Sequence, residues 1–362
     1  MHHDMKTVFF PLPLLLLITA CSPKVSETTR ITGRVEGGTA DRAGVYMMDG
    51  NLNERIELKD NGFSYELPTN KAVVATFTCR IDGQEVNLAV IPDGSELTLT
   101  FRPEGSNLRS SNRKSLNYKM QEIEQVYAEM RRLSSKQMAL QQAGAPREQI
   151  DSVAALARPV FESLQELHRK NIDEQKDNFL GAYGVSYLQG LYSDEQLDSL
   201  IRTLEPGVVE TARMQMILRD VQARLRTREG MPFADFHVET ENGTVSLSDF
   251  VGKGKYVIAD FWASWCQPCI AEMPYLKEVY KKYNGSNVLL LGITNYEKPE
   301  VSRAAAQELG LPWDQIYCPN LEAMETYGIS GIPHIILFGP DGTILRRHLH
   351  GAHVGEILEE YL

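Results

Sequence analysis

The stretch that decides the fold is Asp260-Phe-Trp-Ala-Ser-Trp-Cys-Gln-Pro-Cys269. An apolar strand pattern leads into a C-x-x-C, and a helical pattern begins there. Two cysteines three positions apart on a first helical turn can form a disulfide with little movement of the backbone. The unpaired N–H groups and the positive dipole end of that turn favour a thiolate over a thiol. We therefore expect Cys266, nearer the helix end and more exposed, to be the nucleophile and Cys269 to be the resolving thiol.

The segments around this stretch alternate between strands and helices. Apolar runs typical of buried strands cover residues 256–261, 288–293, 335–338 and 344–349. Helical periodicity covers roughly residues 266–283, 299–309 and 354–362. This order predicts an α/β layer around a central sheet, in a domain that spans residues 229–362.

These residues resemble the active-site segment of the thioredoxin superfamily, which is a Trp-Cys-x-Pro-Cys core preceded by Asp-Phe-Trp-Ala. Pro274 stands where such proteins kink the active-site helix, and Gly351 resembles the glycine before their last helix. Gly331-Ile-Pro333 resembles the loop that bears their cis-proline. The residues Pro232-x-x-Asp-Phe236, with Val-Ser-Leu-Ser-Asp at 245–249, resemble the opening of the extracytoplasmic, reducing TlpA/ResA-like branch.

The resemblance implies roles for several residues. Asp260 corresponds to the family's buried carboxylate, which accepts a proton from the resolving cysteine through water. Cis-Pro333 would present the backbone of Ile332 to an extended substrate, and Trp265 would flank the disulfide. The alternatives are a solvent-exposed Asp260, a trans Pro333 and a tryptophan that serves packing alone. The lysine that thioredoxins place near the carboxylate has no match at 290–293, and His334, where many relatives carry threonine, is interpreted as a core histidine.

The other cysteines predict neither a metal site nor a further redox centre. A C-x-x-C can be half of a zinc site, but the sequence has no second C-x-x-C and no paired histidines to complete it. We therefore predict no metal and no cofactor. Cys79 shares a strand face with Phe77 and Ile81 and is expected to be buried. Cys318 could be exposed, but its neighbours do not suggest activation.

The N-terminus has the pattern of an export signal. Lys6 precedes an apolar run that is too short to span a bilayer, and translation is expected to start at Met5. Ile18-Thr-Ala-Cys21 resembles a bacterial lipobox, which implies a lipoprotein signal peptide at 1–20, lipidation of Cys21 and a membrane anchor. An ordinary signal peptide with an incidental cysteine is the alternative. Either places the mature chain outside the cytoplasm, and Ser22 hints at the outer membrane.

Two further zones separate this leader from the C-terminal domain. A polar tether at 21–29 is followed by short alternating runs with strong turn signals over residues 30–105, which predict a small all-β sandwich or barrel. Residues 106–228 carry apolar stripes at helical spacing and predict an α-helical region. The arrangement resembles Bacteroidetes lipoproteins whose N-terminal domain has no assigned function.

The predicted function is protein thiol-disulfide exchange through Cys266 and Cys269. Gln267-Pro268 in place of a histidine, and Ile332 before the proline, favour a reductase, which implies a membrane-embedded electron donor by family analogy. An oxidase or isomerase with the same residues remains an alternative, as does a binding or scaffold lipoprotein with a structural thioredoxin domain. The net charge of −11 over 362 residues argues against nucleic acid as a partner.

Overall fold

The structure is a computed structural model, and it describes residues 27–47, 52–103, 106–240, 243–295 and 297–362. The predicted signal peptide, Cys21 and most of the predicted tether lie outside these residues. Within them the chain forms a strand-rich N-terminal region, a run of helices and a thioredoxin-like C-terminal domain, in the order that the sequence predicted. None of the helices in these ranges is both apolar enough and long enough for a membrane span.

The strand-rich region is a sandwich of two four-stranded sheets with orders β4-β1-β7-β8 and β3-β2-β5-β6. Strand alternation points one face of each sheet inward, and residues of both sheets, among them Ile31, Val45, Phe77 and Leu99, form one buried core. The strands are β1 Thr28–Val35, β2 Ala40–Met47, β3 Asn53–Ile56, β4 Gly62–Pro68, β5 Ala75–Ile81, β6 Gln84–Val90, β7 Glu96–Phe101 and β8 Asn107–Ser110.

The turns of this sandwich follow the sequence signals closely. Asp60 and Asn61 both have positive φ, as do Asp82 and Gly83, which is the backbone that a two-residue hairpin turn requires. The limits of the region differ from the predicted ones. Strand β1 begins at Thr28, inside the predicted tether, and β8 follows position 105 yet pairs with β7. The sheet therefore continues to Ser110. The sequence analysis did not detect β8, because this strand is too short and polar to be recognised from its sequence.

Six helices follow, and the side chains of Ser115, Asn178 and Ser193 cap the starts of three of them. Ser193 forms a capping box with Gln196. Pro206 opens a helix, because the first turn needs no N–H from it. The helices are α1 Leu116–Gln142, α2 Arg147–Glu174, α3 Phe179–Leu188, α4 Asp194–Ile201, α5 Pro206–Val209 and α6 Ala212–Arg226.

The C-terminal domain has a five-stranded sheet of order β13-β12-β11-β14-β15, in which β11 occupies the centre. Apolar clusters cover both of its faces, as an α/β layer requires. Its elements, after a hairpin of β9 His237–Thr240 and β10 Gly243–Ser246, are β11 Tyr256–Trp262, α7 Gln267–Tyr283, β12 Val288–Thr294, α8 Pro299–Glu308, β13 Asp314–Tyr317, α9 Glu322–Tyr327, β14 His334–Phe338, β15 Ile344–Leu349 and α10 Gly351–Glu359.

Hydrogen bonds of two arginines join the helical region to the C-terminal domain. The guanidinium of Arg347, on β15, donates to the carbonyl and hydroxyl of Thr227 and to the carbonyl of Tyr327, at 2.7–2.9 Å. Arg224, on α6, pairs with Asp194 at 2.8 Å and donates to the carbonyl of Gly328 at 3.5 Å. These contacts attach α6 to the segment after α9.

Candidate active site

Cys266 and Cys269 form a disulfide at the start of α7, with 5.3 Å between their Cα atoms. Cys266 is the N-cap residue of this helix, and the N–H of Cys269 donates to its Sγ at 3.2 Å. Pro268 lies within the first turn, where its missing N–H costs nothing. The helix end therefore offers Cys266 both a hydrogen bond and the positive end of its dipole, and both favour a thiolate on this sulfur.

The two cysteines differ less in exposure than the sequence suggested. Cys266 is 4% exposed and Cys269 is 1% exposed, so Cys266 is the more accessible only by a narrow margin. Trp262, the last residue of β11, and Ala263, which follows it, pack in the same apolar cluster as both cysteines. The C-x-x-C spacing alone does not reveal how deeply this cluster buries Cys266.

The residues predicted to contact the substrate are Trp265, Ile332 and Pro333. The Ile332–Pro333 peptide bond is cis, as the sequence predicted. Ile332 is partly buried against the cluster that contains both cysteines. Trp265, the residue before Cys266, keeps 58% of its surface exposed. An aromatic side chain this exposed next to a buried disulfide is available to a docking polypeptide.

Asp260 lies in the middle of β11, opposite Gly292 of β12 and Ile335 of β14, and only 3% of it is exposed. Burial away from water, together with the nearby carboxylate of Glu272, raises the pKa of Asp260 to about 8. A carboxyl group with this pKa can hold or accept a proton near neutral pH.

Glu272 is a site residue that the sequence analysis missed. It lies in α7 between Cys269 and Pro274, and its Oε1 contacts Nδ1 of His350 at 3.1 Å. Its Oε2 is buried and has no hydrogen-bond partner among the described residues. A carboxylate thus lies near Asp260 and raises its pKa. The signal that could have found it is an acidic residue one turn after the C-x-x-C, in a helix whose neighbouring residues are buried.

Two further predicted positions have a packing explanation. A Cβ at Gly351 would lie 3.0 Å from the backbone oxygen of Glu272, so glycine lets α10 approach α7 closely. His334 is a core residue, as interpreted, with its ring 4.2 Å from that of His348. Its Nε2 nevertheless has no partner among the described residues, and burial lowers the pKa of His334 to about 3.

The remaining described cysteines are buried thiols. Cys79 and Cys318 both have no exposed surface, so the possibility that Cys318 is exposed is wrong. Burial raises the pKa of Cys79 to about 11 and that of Cys318 to about 12. A thiol that stays protonated is a poor nucleophile, which leaves the pair at the start of α7 as the reactive sulfurs of the described chain.

Comparison with known proteins gives the family. The family model described as AhpC/TSA matches residues 230–347. The thiol-disulfide oxidoreductase ResA of Bacillus thuringiensis subsp. konkukian is 32% identical over 124 residues, which are 34% of this chain and 70% of the relative. The chain belongs to the ResA-like thiol-disulfide oxidoreductases of the thioredoxin superfamily. ResA of Bacillus subtilis is 28% identical over 135 residues, which are 37% of this chain and 74% of the relative.

Solved structures of similar proteins also match the C-terminal domain of this ResA-like chain. The thioredoxin domain of a thiol-disulfide oxidoreductase from Bacteroides vulgatus is 31% identical and covers 37% of this chain and 96% of its own, with a TM-score of 0.34. A thiol-disulfide oxidoreductase from Bacteroides fragilis is 32% identical and covers 36% and 99%, with a TM-score of 0.33.

Proposed function

We propose that this ResA-like oxidoreductase is an extracytoplasmic protein-disulfide reductase that works by dithiol-disulfide exchange through Cys266 and Cys269. The observation that carries the proposal is the Cys266–Cys269 disulfide at the N-terminus of α7, where the sulfur of Cys266 accepts a hydrogen bond from the helix backbone. A thiolate stabilised in this way is both a nucleophile and a good leaving group.

The proposed cycle starts with the reduced pair. The Cys266 thiolate attacks one sulfur of a substrate disulfide, so a mixed disulfide forms and the other substrate sulfur leaves as a thiolate that takes up a proton. Asp260 accepts the proton of Cys269, whose thiolate then attacks Sγ of Cys266. The enzyme disulfide forms and the second substrate thiol is released. Two electrons pass from the enzyme to the substrate.

Substrate recognition is proposed for the exposed surface around the disulfide. Trp265 supplies an exposed aromatic face, and cis-Pro333 presents the backbone of Ile332 at the edge of the site. An extended polypeptide can pair with backbone groups of this kind while its disulfide lies over Cys266. The proposed substrates are therefore protein thiols and disulfides in unfolded or extended segments.

The proposal also covers the direction of the redox reaction, the location of the protein and its domain organisation. Gln267-Pro268 supports a reducing potential, because no histidine inside the C-x-x-C adds to the stabilisation of the thiolate. A reductase in an oxidising compartment must be re-reduced, and we propose a membrane-embedded protein as its electron donor. We further propose a signal peptide at 1–20, a lipidated Cys21 with a tether that ends before β1, a β-rich domain that ends with β8, a helical region from there to 228 and the catalytic domain at 229–362.

Trapping of mixed disulfides tests the assignment of the two cysteines. The Cys269→Ser variant should accumulate a mixed disulfide between Cys266 and an unfolded or reoxidised protein that contains a disulfide. The adduct persists because the variant lacks the resolving thiol. The Cys266→Ser variant should form no such adduct, and the buried Cys318→Ser variant should behave as the wild type. Adducts of equal yield on Cys266→Ser and Cys269→Ser would overturn the assignment, and unchanged partner binding without any adduct would favour the scaffold alternative.

The anchor has a separate test. Cells that express the full chain should incorporate labelled fatty acid into it, and Cys21→Ser should abolish the label while the redox activity of the soluble domain stays the same. A fully processed but unlabelled wild-type chain would identify an ordinary signal peptide with an incidental cysteine.

A further inference from the structure

A carboxylate from a distant loop binds the segment that leads into Cys266. This segment is residues 263–265, between β11 and α7. The backbone N–H of Ser264 donates to Oε2 of Glu297 at 3.3 Å, and the hydroxyl of Ser264 donates to Oε1 of the same side chain. Glu297 is 33 residues away in sequence, so these bonds are tertiary contacts that join the segment to the loop between β12 and α8.

The carboxylate of Glu297 is itself held in place. The hydroxyl of Ser302, which is fully buried in the first turn of α8, donates to Oε2 at 2.7 Å. Glu297 immediately precedes Lys298, the N-cap residue of α8. One side chain therefore accepts three hydrogen bonds and links α8 to the active-site segment. Hydrogen bonds to a carboxylate are shorter and stronger than neutral ones.

The geometry has a direct consequence for Trp265. On one side of it Ser264 is held by two hydrogen bonds, and on the other side Cys266 is fixed as the N-cap of α7. The backbone of Trp265 is thus restrained at both ends, while its side chain extends to solvent with 58% of its surface exposed.

We propose that Glu297 is a positioning residue for the active site: by holding Ser264 it keeps Trp265 extended beside the disulfide as the surface that receives a protein substrate. This inference rests on the proposed function. Glu297 acts through Ser264 and does not take part in the exchange of sulfur bonds. Its loss is expected to slow the reaction with protein disulfides more than the reaction with a small disulfide, which does not need the tryptophan surface.

The variants are chosen to separate this role from the stabilisation of α8. Glu297→Gln keeps the size of the side chain but turns an N–H₂ group towards one of the Ser264 donors. Ser264→Ala removes the hydroxyl that donates to Glu297. Ser302→Ala is the matched control, because it removes the bond on the α8 side and leaves both Ser264 bonds. Glu297→Asp keeps the carboxylate and should restore part of the wild-type behaviour.

Two readouts are measured on the full soluble chain. The first is acrylamide quenching of tryptophan fluorescence, which reports mainly on Trp265 because Trp262 and Trp313 are 0% and 6% exposed. The second is the rate of reduction of insulin by the reduced enzyme, compared with the rate for the small disulfide 5,5′-dithiobis(2-nitrobenzoate). Glu297→Gln and Ser264→Ala should each change quenching and slow insulin reduction about tenfold, with less than about a threefold effect on the small disulfide.

The double variant decides whether the two residues act as a unit. Glu297→Gln with Ser264→Ala should be no slower than the slower single variant. Multiplied effects in the double variant, or altered melting temperature with unchanged quenching and insulin rate, would overturn the proposal. If the wild type itself fails to reduce insulin, the proposed function fails, and quenching still tests the position of Trp265 independently.

Discussion

The buried carboxyl group of Asp260 makes the free energy of unfolding depend on pH. Between pH 3.8, the ordinary pKa of an aspartate, and the raised pKa of about 8, the folded chain keeps the proton of Asp260 while the unfolded chain has lost it. The folded state therefore binds more protons in this window. Its stability must fall as the pH rises through the window, by roughly 1 kcal/mol per pH unit from this group.

Asp260→Asn should remove this contribution. We expect the oxidised variant to gain stability relative to the oxidised wild type by roughly 1 kcal/mol for each pH unit between pH 5 and pH 8, because over this range the folded wild type holds a proton that the unfolded chain has lost. Urea unfolding at several pH values measures it. Asp314→Asn, at an exposed position of β13, is the control that should stay parallel to the wild type. A constant difference across this range would contradict a raised pKa at Asp260.

Residues near one another in sequence were predictable, and residues brought together by the fold were not. The C-x-x-C, Pro268 and Trp265 form a local motif, and the motif Gly-Ile-Pro predicted a cis bond that the fold contains. Glu272 and Glu297 escaped notice because an acidic residue in an amphipathic helix or a surface loop is most often solvated. Their tertiary contacts, of Glu272 with His350 and of Glu297 with Ser264, distinguish them from solvated acidic residues.

At the scale of elements, three helices meet around a buried histidine. His168 of α2 is fully buried; its ring lies 4.3 Å from that of Tyr187 and 5.1 Å from that of Tyr183, both on α3. Tyr127 of α1 approaches its Nε2 at 3.4 Å. Burial lowers the pKa of His168 to about 4, and its Nδ1 has no partner among the described residues. The packing of α1, α2 and α3 therefore requires a neutral imidazole.

His168→Phe should reduce the acid sensitivity of the chain. Between pH 6.5 and about 4 the unfolded chain takes up a proton that the folded His168 does not, so wild-type stability falls on acidification, by about 2–3 kcal/mol from this group. The variant should lose less stability between pH 7 and pH 4.5 in urea unfolding, although buried His334 contributes to both proteins. His353→Gln, at an exposed position, is the control. An unchanged acid loss in His168→Phe would contradict a neutral buried His168.

Elements with strong periodicity were predicted almost to the residue, and short amphipathic ones were missed. Strand β15 has the predicted bounds, and β11 and β12 differ by one residue, because both faces of a central strand are apolar. Strand β13 and helix α9 have four and six residues, respectively. Segments this short form because neighbouring elements bury them, and Ile316 and Tyr327 both lie in one buried cluster. The local sequence pattern does not predict that burial.

At the scale of the whole molecule, Arg347 holds the helical region and the catalytic domain together. Arg347→Ala would remove the side-chain donor of the buried carbonyl of Thr227 and the shorter of the two hydrogen bonds to the buried carbonyl of Tyr327. We expect a loss of about 2–4 kcal/mol in the free energy of unfolding. The neighbouring Arg346→Ala is the matched control and should cost less than about 1 kcal/mol, because its ion pairs are 3.8–3.9 Å long and partly exposed. Equal losses of unfolding free energy in the two variants would show that the hydrogen bonds of Arg347 contribute nothing beyond surface charge.

The midpoint potential of the Cys266–Cys269 couple tests the central claim most directly. The soluble chain is equilibrated in redox buffers of known potential, and its free thiols are counted by alkylation, with the fully oxidised chain as the blank for the buried thiols Cys79 and Cys318. A reductase should give a reversible two-electron couple near or below about −250 mV, close to the potential of thioredoxin. A value near about −120 mV would contradict the account and identify an oxidase.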